Sequence, residues 1–98
     1  MLIFRLKKEW WDKVISGEKT HEYREVGQYW GVRLFNESQK YNGKGGIPCM
    51  LTLGYPKQND KSRIRHAKIK QVEIKITGLG TDLAVPGPVY DITFELEE

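Results

Sequence analysis

Ninety-eight residues make one domain, residues 1–98, with no room for a second. Hydrophobic residues form 39% and charged residues 30%, which fits a folded chain rather than a disordered one; a single cysteine excludes an intramolecular disulfide framework and a multi-cysteine zinc site. The net charge of +3 is uneven: residues 57–75 carry +5, residues 76–98 carry −5 and residues 1–56 carry +3, a pattern that reads either as a surface for an anionic partner or as a solvated strand face.

Leu2, Phe4 and Leu6 alternate with Ile3, Arg5 and Lys7, which predicts a strand with one buried face. The same stretch has too few apolar residues before Arg5 for a secretory core, and no apolar run is long enough to span a bilayer. A cytoplasmic, reducing location is the default expectation. From Glu9 to Ser16 the period changes: Trp11, Val14 and Ile15 share a helical stripe, Glu9 and Lys13 form an i, i+4 pair, and Gly17 ends the helix. Thr20 to Val26 reads as extended, Gly27 to Phe35 as a second short helix, and Asn36 to Pro48 as a glycine-containing loop. Cys49 to Tyr55 is a buried strand ending in the turn Gly54-Tyr55-Pro56, and Gln58 to Ser62 is a polar turn. Between Arg63 and Ile76 the apolar set slips from odd (Ala67, Ile69) to even positions (Val72, Ile74, Ile76), as a β-bulge or a break between strands requires. After a Gly/Pro loop over 78–88, Tyr90, Ile92, Phe94 and Leu96 alternate on the last strand. Five or six mostly antiparallel strands and two short helices make a small α+β domain, curled toward a β-barrel.

The densest concentration of chemistry is Gly17-Glu18-Lys19-Thr20-His21-Glu22-Tyr23-Arg24. It leaves a helix at Gly17 and enters a strand on which Glu22 and Arg24, two apart, share a face. Lys19 lies in the turn, within reach of that face. Arg24 has a planar fork suited to holding a carboxylate, and Lys19 is a mobile point charge. On spacing alone this is either a salt-bridged strand face at the barrel mouth or a binding cleft.

Gly17-x-Lys19-x-x-Glu22-x-Arg24 resembles the G-x-K-x-x-E-x-R motif of the ASCH domain family, a branch of the PUA-like superfamily. The similarity continues through the preceding helix (Lys8 to Ser16), Tyr23-Arg24-Glu25, Tyr29-Trp30, Arg33-Leu34, Gly54-Tyr55-Pro56 and Tyr90-Asp91-Ile92-Thr93-Phe94, as in the short, phage-type members. The resemblance implies a PUA-like barrel with a cleft where Lys19, Glu22 and Arg24 meet, and binding of RNA or a nucleotide-like ligand. Some members are hydrolases. One branch deacetylates acetylated cytidine with a lysine, a threonine and a glutamate. Here Glu22 stands where that branch has its threonine, and its distant glutamate has no clear counterpart, so that activity is not implied.

Trp30 and Tyr55 are candidates for stacking on a base. Arg63, Arg65 and Lys68, in the basic block, are candidates for sequence-independent contact with nucleic-acid backbone. His21 and His66 have no second ligand at metal spacing, Cys49 reads as a buried small hydrophobe, and GKGG at 43–46 lacks the context of a phosphate loop, so neither metal nor cofactor is expected. The first functional expectation is an RNA- or nucleotide-binding module. The alternative is a small hydrolase, amidohydrolase- or ribonuclease-like, in which Lys19 stabilises a developing anion and Glu22 moves a proton. A third is an interaction protein without a ligand. The oligomeric state is left open by the sequence.

Overall fold

The computed structural model describes residues 1–97. Its elements are β1 (Leu2–Leu6), α1 (Lys8–Ile15), β2 (His21–Glu25), α2 (Gln28–Lys40), β3 (Ile47–Leu53), a single 3-10 turn (Lys61–Arg63), β4 (Ile64–Lys75) and β5 (Val89–Leu96). The five strands form one mixed sheet in the order β1-β3-β4-β5-β2, curled into a half-barrel with two helices. Three of the four pairings are antiparallel; β1 and β3 run parallel, with Phe4 beside Leu51. Among the described residues no helix is long and apolar enough to cross a membrane.

The buried face follows the alternation. Leu2, Phe4 and Leu6 lie in register with Cys49, Leu51 and Leu53, and Cys49 and Leu51 with Ala67 and Arg65. These apolar side chains, with Ile69, Ile92 and Phe94, form the core, and α1 adds Trp11 and Val14. Ile15 stays exposed, and the ion pair on α1 is Lys8–Asp12 at 2.9 Å, while Lys13 lies over the Trp10 ring. The phase slip in β4 is a bulge: the register with β5 shifts between Ile69 and Gln71. Its consequence is that Val72 and Ile74 face the same side as Ile92 and Tyr90 on β5.

Two boundaries differ from expectation. Helix α2 continues through Asn36–Lys40, where the sequence predicts loop. Leu34 anchors its buried side, Ser38 Oγ donates to the Phe35 carbonyl, and Glu37, Gln39 and Lys40 are good helix formers, so the helix outlasts its apolar pattern. Strand β3 starts at Ile47 and includes Pro48. The proline is tolerated because pairing with β1 begins one residue later, at Cys49.

β1 and β2 are the two edges of the curled sheet, and side chains bridge the space between them. Phe4 on β1 stacks on Trp30 of α2 with centroids 5.1 Å apart, and the Arg24 guanidinium on β2 lies 5.4 Å from both rings. The candidate site sits beside this contact.

Candidate functional site

The end of α1 sets the position of Lys19. Gly17 adopts φ +84, a left-handed conformation that a side chain disfavours, and its N–H donates to the Val14 carbonyl. The Lys19 N–H then donates to the Lys13 carbonyl at 3.0 Å, so the chain turns back toward β2 with the lysine held at the strand edge. Two residues on, β2 begins, and its pairing with β5 puts Glu22 opposite Ile92 and Arg24 opposite Tyr90. Glu22 and Arg24 therefore share the inner face, as their spacing requires.

The three side chains converge. Lys19 Nζ is 3.3 Å from Glu22 Oε1, and Arg24 Nη2 is 2.7 Å from Glu22 Oε2. Lys19 is 8% exposed and Glu22 4%; Arg24 is half-buried and also donates to the Tyr23 carbonyl. Lys19 additionally donates to the His21 carbonyl and pairs with Asp82 Oδ2 at 2.5 Å. Tyr23 and Trp10 place their rings 5.2 and 5.9 Å from the same ammonium. Arg24 and Asp82, at the solvent side, thus balance the charges of the buried Lys19–Glu22 pair, the arrangement that makes burying charge tolerable. Glu22 Oε2 is buried and meets the Arg24 guanidinium as its counter-charge.

Asp82 belongs to the 77–88 loop and is invisible to motif spacing. The loop is shaped from within. Gly78 N–H donates to the Gly87 carbonyl at 2.8 Å, Thr77 and Thr81 hydroxyls bond to Pro86 and Gly78 carbonyls, and Ala84 takes φ +52. A Cβ at Gly78 would lie 2.8 Å from Val85 and Val89 atoms, so only glycine fits. A single acid in a Gly/Pro loop was the one available signal, and it is a weak one.

Above the cluster opens a cleft of about 280 Å³ lined by Arg5, Leu6, Lys7, Trp10, Glu22, Tyr23, Arg24, Asp82 and Leu83. It shares Tyr23 and Asp82 with a second hollow of about 240 Å³ that also holds Lys19, Thr20 and His21, and it shares Arg24 and Leu83 with a third that reaches Trp30. The cleft lining carries three cations against two carboxylates. Burial, with the Asp91 and Asp82 carboxylates adding to it, pushes the Tyr23 hydroxyl above its ordinary value, so it stays a protonated donor.

The other sequence candidates lie apart from this centre or are occupied. Trp30 borders the third hollow, with one ring contact taken by Phe4 and an edge contact by Tyr29. Tyr55 is 85% exposed and does not line the cleft; its ring meets Arg5, which does, and Gly54 is tied to the end of β1 by a bond to the Leu6 carbonyl. Arg63 lies in the 3-10 turn beside Asp60, and Arg65 and Lys68 on β4, the middle strand, opposite the gap between β1 and β2. Arg65 and Lys68 are three apart with no bulge between them, so they leave opposite faces of the sheet and do not form one patch.

His21, read from the sequence as a lone histidine without a second metal ligand, gains a partner in the fold. On the outer face of β2, its Nδ1 lies 2.6 Å from Asp91 Oδ1 on β5; Asp91 is buried, and Lys75 stands 3.8 Å from its other oxygen. Among the described residues no group of three or more His, Cys, Asp or Glu side chains is arranged to hold a metal. No family model, no curated protein and no solved structure matches this chain.

Proposed function

We propose that the chain is an RNA- or nucleotide-binding module of the ASCH, PUA-like type, with Glu22 and Arg24 lining its ligand cleft and Lys19 holding Glu22 from the adjoining hollow. The observation that carries this reading is the buried Glu22 carboxylate, held between Lys19 and Arg24 beside a cation-rich cleft. Amino groups on base edges are N–H donors, and a carboxylate has lone pairs to accept from them beside its ion pairs. Arg5, Lys7 and Arg24 supply charge for a phosphate, and the Trp10 and Tyr23 rings supply stacking surface. The Glu22 carboxylate is already engaged by two cations, which suits orienting a ligand better than shuttling its proton. The basic residues Arg63, Arg65 and Lys68 remain candidates for backbone contact outside the cleft.

Titration of the four nucleoside monophosphates and a short single-stranded RNA, followed by tryptophan fluorescence at low salt, tests this. Binding that is lost in Glu22→Gln and Arg24→Ala, with folding intact, is the expected result. Absence of binding to every probe, or binding indifferent to both variants, refutes it.

One observation favours a second reading, a hydrolase acting on RNA or a modified nucleoside. His21, with Nδ1 held by buried Asp91, borders the hollow that contains Lys19, an arrangement suited to moving a proton beside a cation that stabilises an anion. Cleavage of a short RNA that disappears in His21→Ala while nucleotide binding survives would support it over the binding module.

A further inference from the structure

The second half of β4 has one unpaired edge among the described residues. Strand β3 pairs with β4 only over Ile64–Ile69, and the incoming chain turns away at Gly46, where a Cβ would sit 3.1 Å from the Ile69 carbonyl. Beyond the bulge, residues 71–75 pair with β5 along one edge, and among the described residues nothing pairs with the other. The side chains there alternate: Val72 and Ile74 are 38% and 63% exposed on one face, and Gln71, Glu73 and Lys75 occupy the other; Ile76, just past the end of the strand, is 90% exposed. An exposed strand edge with apolar side chains is a template for another strand.

We propose that this edge pairs antiparallel with the same edge of a second copy of the chain, with Ile74 opposite Ile74 across a two-fold axis. The charges identify both the occupant and the register. Residues opposed in a sheet point to the same face, so odd positions must meet odd ones and even must meet even. With Ile74 on the axis, Glu73 of each copy meets Lys75 of the other, and Val72 meets Ile76, so both faces are complementary. A shift of the axis by one residue sets Glu73 against Glu73 or Lys75 against Lys75, and opposed like charges destabilise a sheet. The segment Gln71-Val72-Glu73-Ile74-Lys75-Ile76 therefore complements itself in one register. Closed two-fold pairing of this kind also consumes both edges and stops further growth. The proposed dimer places its axis on β4 and leaves the cleft between β1 and β2 open, and it stands independently of what the cleft binds.

The test is the mass of the full chain in solution, measured by sedimentation equilibrium over a range of concentrations. A monomer–dimer equilibrium is expected. Glu73→Lys and Lys75→Glu should each weaken it about tenfold or more, and the double variant, which restores opposite charges across the axis, should recover most of the loss. Cysteine at position 74 gives a register-specific readout, since opposed Cα atoms about 4.5–5.5 Å apart fall within disulfide reach. Mild oxidation of Ile74→Cys should cross-link the dimer efficiently and Val72→Cys poorly, and native Cys49, 1% exposed, stays out of the reaction. Position 74 is exposed, so the cysteine variant folds even where a charge reversal disturbs Asp91. A chain that stays monomeric and does not cross-link at position 74 overturns the proposal. So does a dimer insensitive to both reversals, or an edge that takes up a strand of another protein while the chain alone remains monomeric.

Discussion

Replacing Lys19 by methionine keeps a side chain of similar length against Trp10 and Tyr23 and removes only the charge. The gross attraction lost to Glu22 at 3.3 Å is about 5 kcal/mol at an effective dielectric constant of about 20. The pair with Asp82, a side chain 37% exposed, adds no more than about 1 kcal/mol once solvent screening is counted. Against these stands the desolvation of the ammonium, several kcal/mol, which the variant no longer suffers. Glu22 keeps Arg24 but loses its second cation, so the net destabilisation should be about 2–4 kcal/mol. For a domain of this size that lowers Tm by roughly 10–25 °C. Glu22→Gln should cost less, about 1–2 kcal/mol, because Lys19 retains Asp82 and the His21 carbonyl while half-buried Arg24 can turn toward water. The double variant decides the matter. A neutral amide in place of the Glu22 carboxylate needs no counter-cation, so the two losses should overlap and the double variant should be more stable than their sum by about 1–3 kcal/mol. Urea unfolding followed by tryptophan fluorescence measures all three, and the coupling should survive high salt because the pair is buried. Single effects that add to within about 0.5 kcal/mol would show that Lys19 and Glu22 do not act as one network.

Gly78→Ala should cost about 1–3 kcal/mol, because the added carbon meets Val85 and Val89 at 2.8 Å and displaces the loop that carries Asp82; an unchanged urea midpoint contradicts the packing argument. Burial, with the Glu97 carboxylate adding to it, pushes the Cys49 thiol up to about 12, so native protein should resist alkylation at about pH 8 and urea should unmask the thiol. The same shift makes the native state hold a proton that the unfolded chain releases above pH of about 8.5, so stability should fall as pH rises from there toward 12. The raised Tyr23 hydroxyl acts in the same direction, and a urea midpoint that stays flat or rises over this range refutes the assignment. If Arg5 and Lys7 touch phosphates, affinity for single-stranded RNA should fall with salt at a log–log slope of about −0.7 per phosphate neutralised; a flat dependence removes them from the binding account.

Much of the architecture was legible in the sequence because it depends on neighbours a few residues apart. Alternation located β1 and β5, the phase slip after Ile69 located the bulge, Gly17 marked the end of α1, and two-residue spacing put Glu22 and Arg24 on one face. The opposite facing of Arg65 and Lys68 was equally legible by parity, yet a charge sum over 57–75 conceals it. What needed the tertiary structure was every relation between residues distant in the chain. Periodicity reports a strand's buried face but not its partner, so the parallel pairing of β1 with β3 among antiparallel neighbours came only with the sheet order. Spacing brought Lys19 within reach of Glu22, but the path of the 77–88 loop supplied Asp82 as its second counter-charge, and the pairing of β2 with β5 turned a lone His21 into a partner of Asp91. Trp30 had the chemistry to stack on a base, and packing against Phe4 took one of its ring contacts. Side-chain period is a local property of the backbone, whereas the partner of a charge or ring is set by where the rest of the chain returns in space.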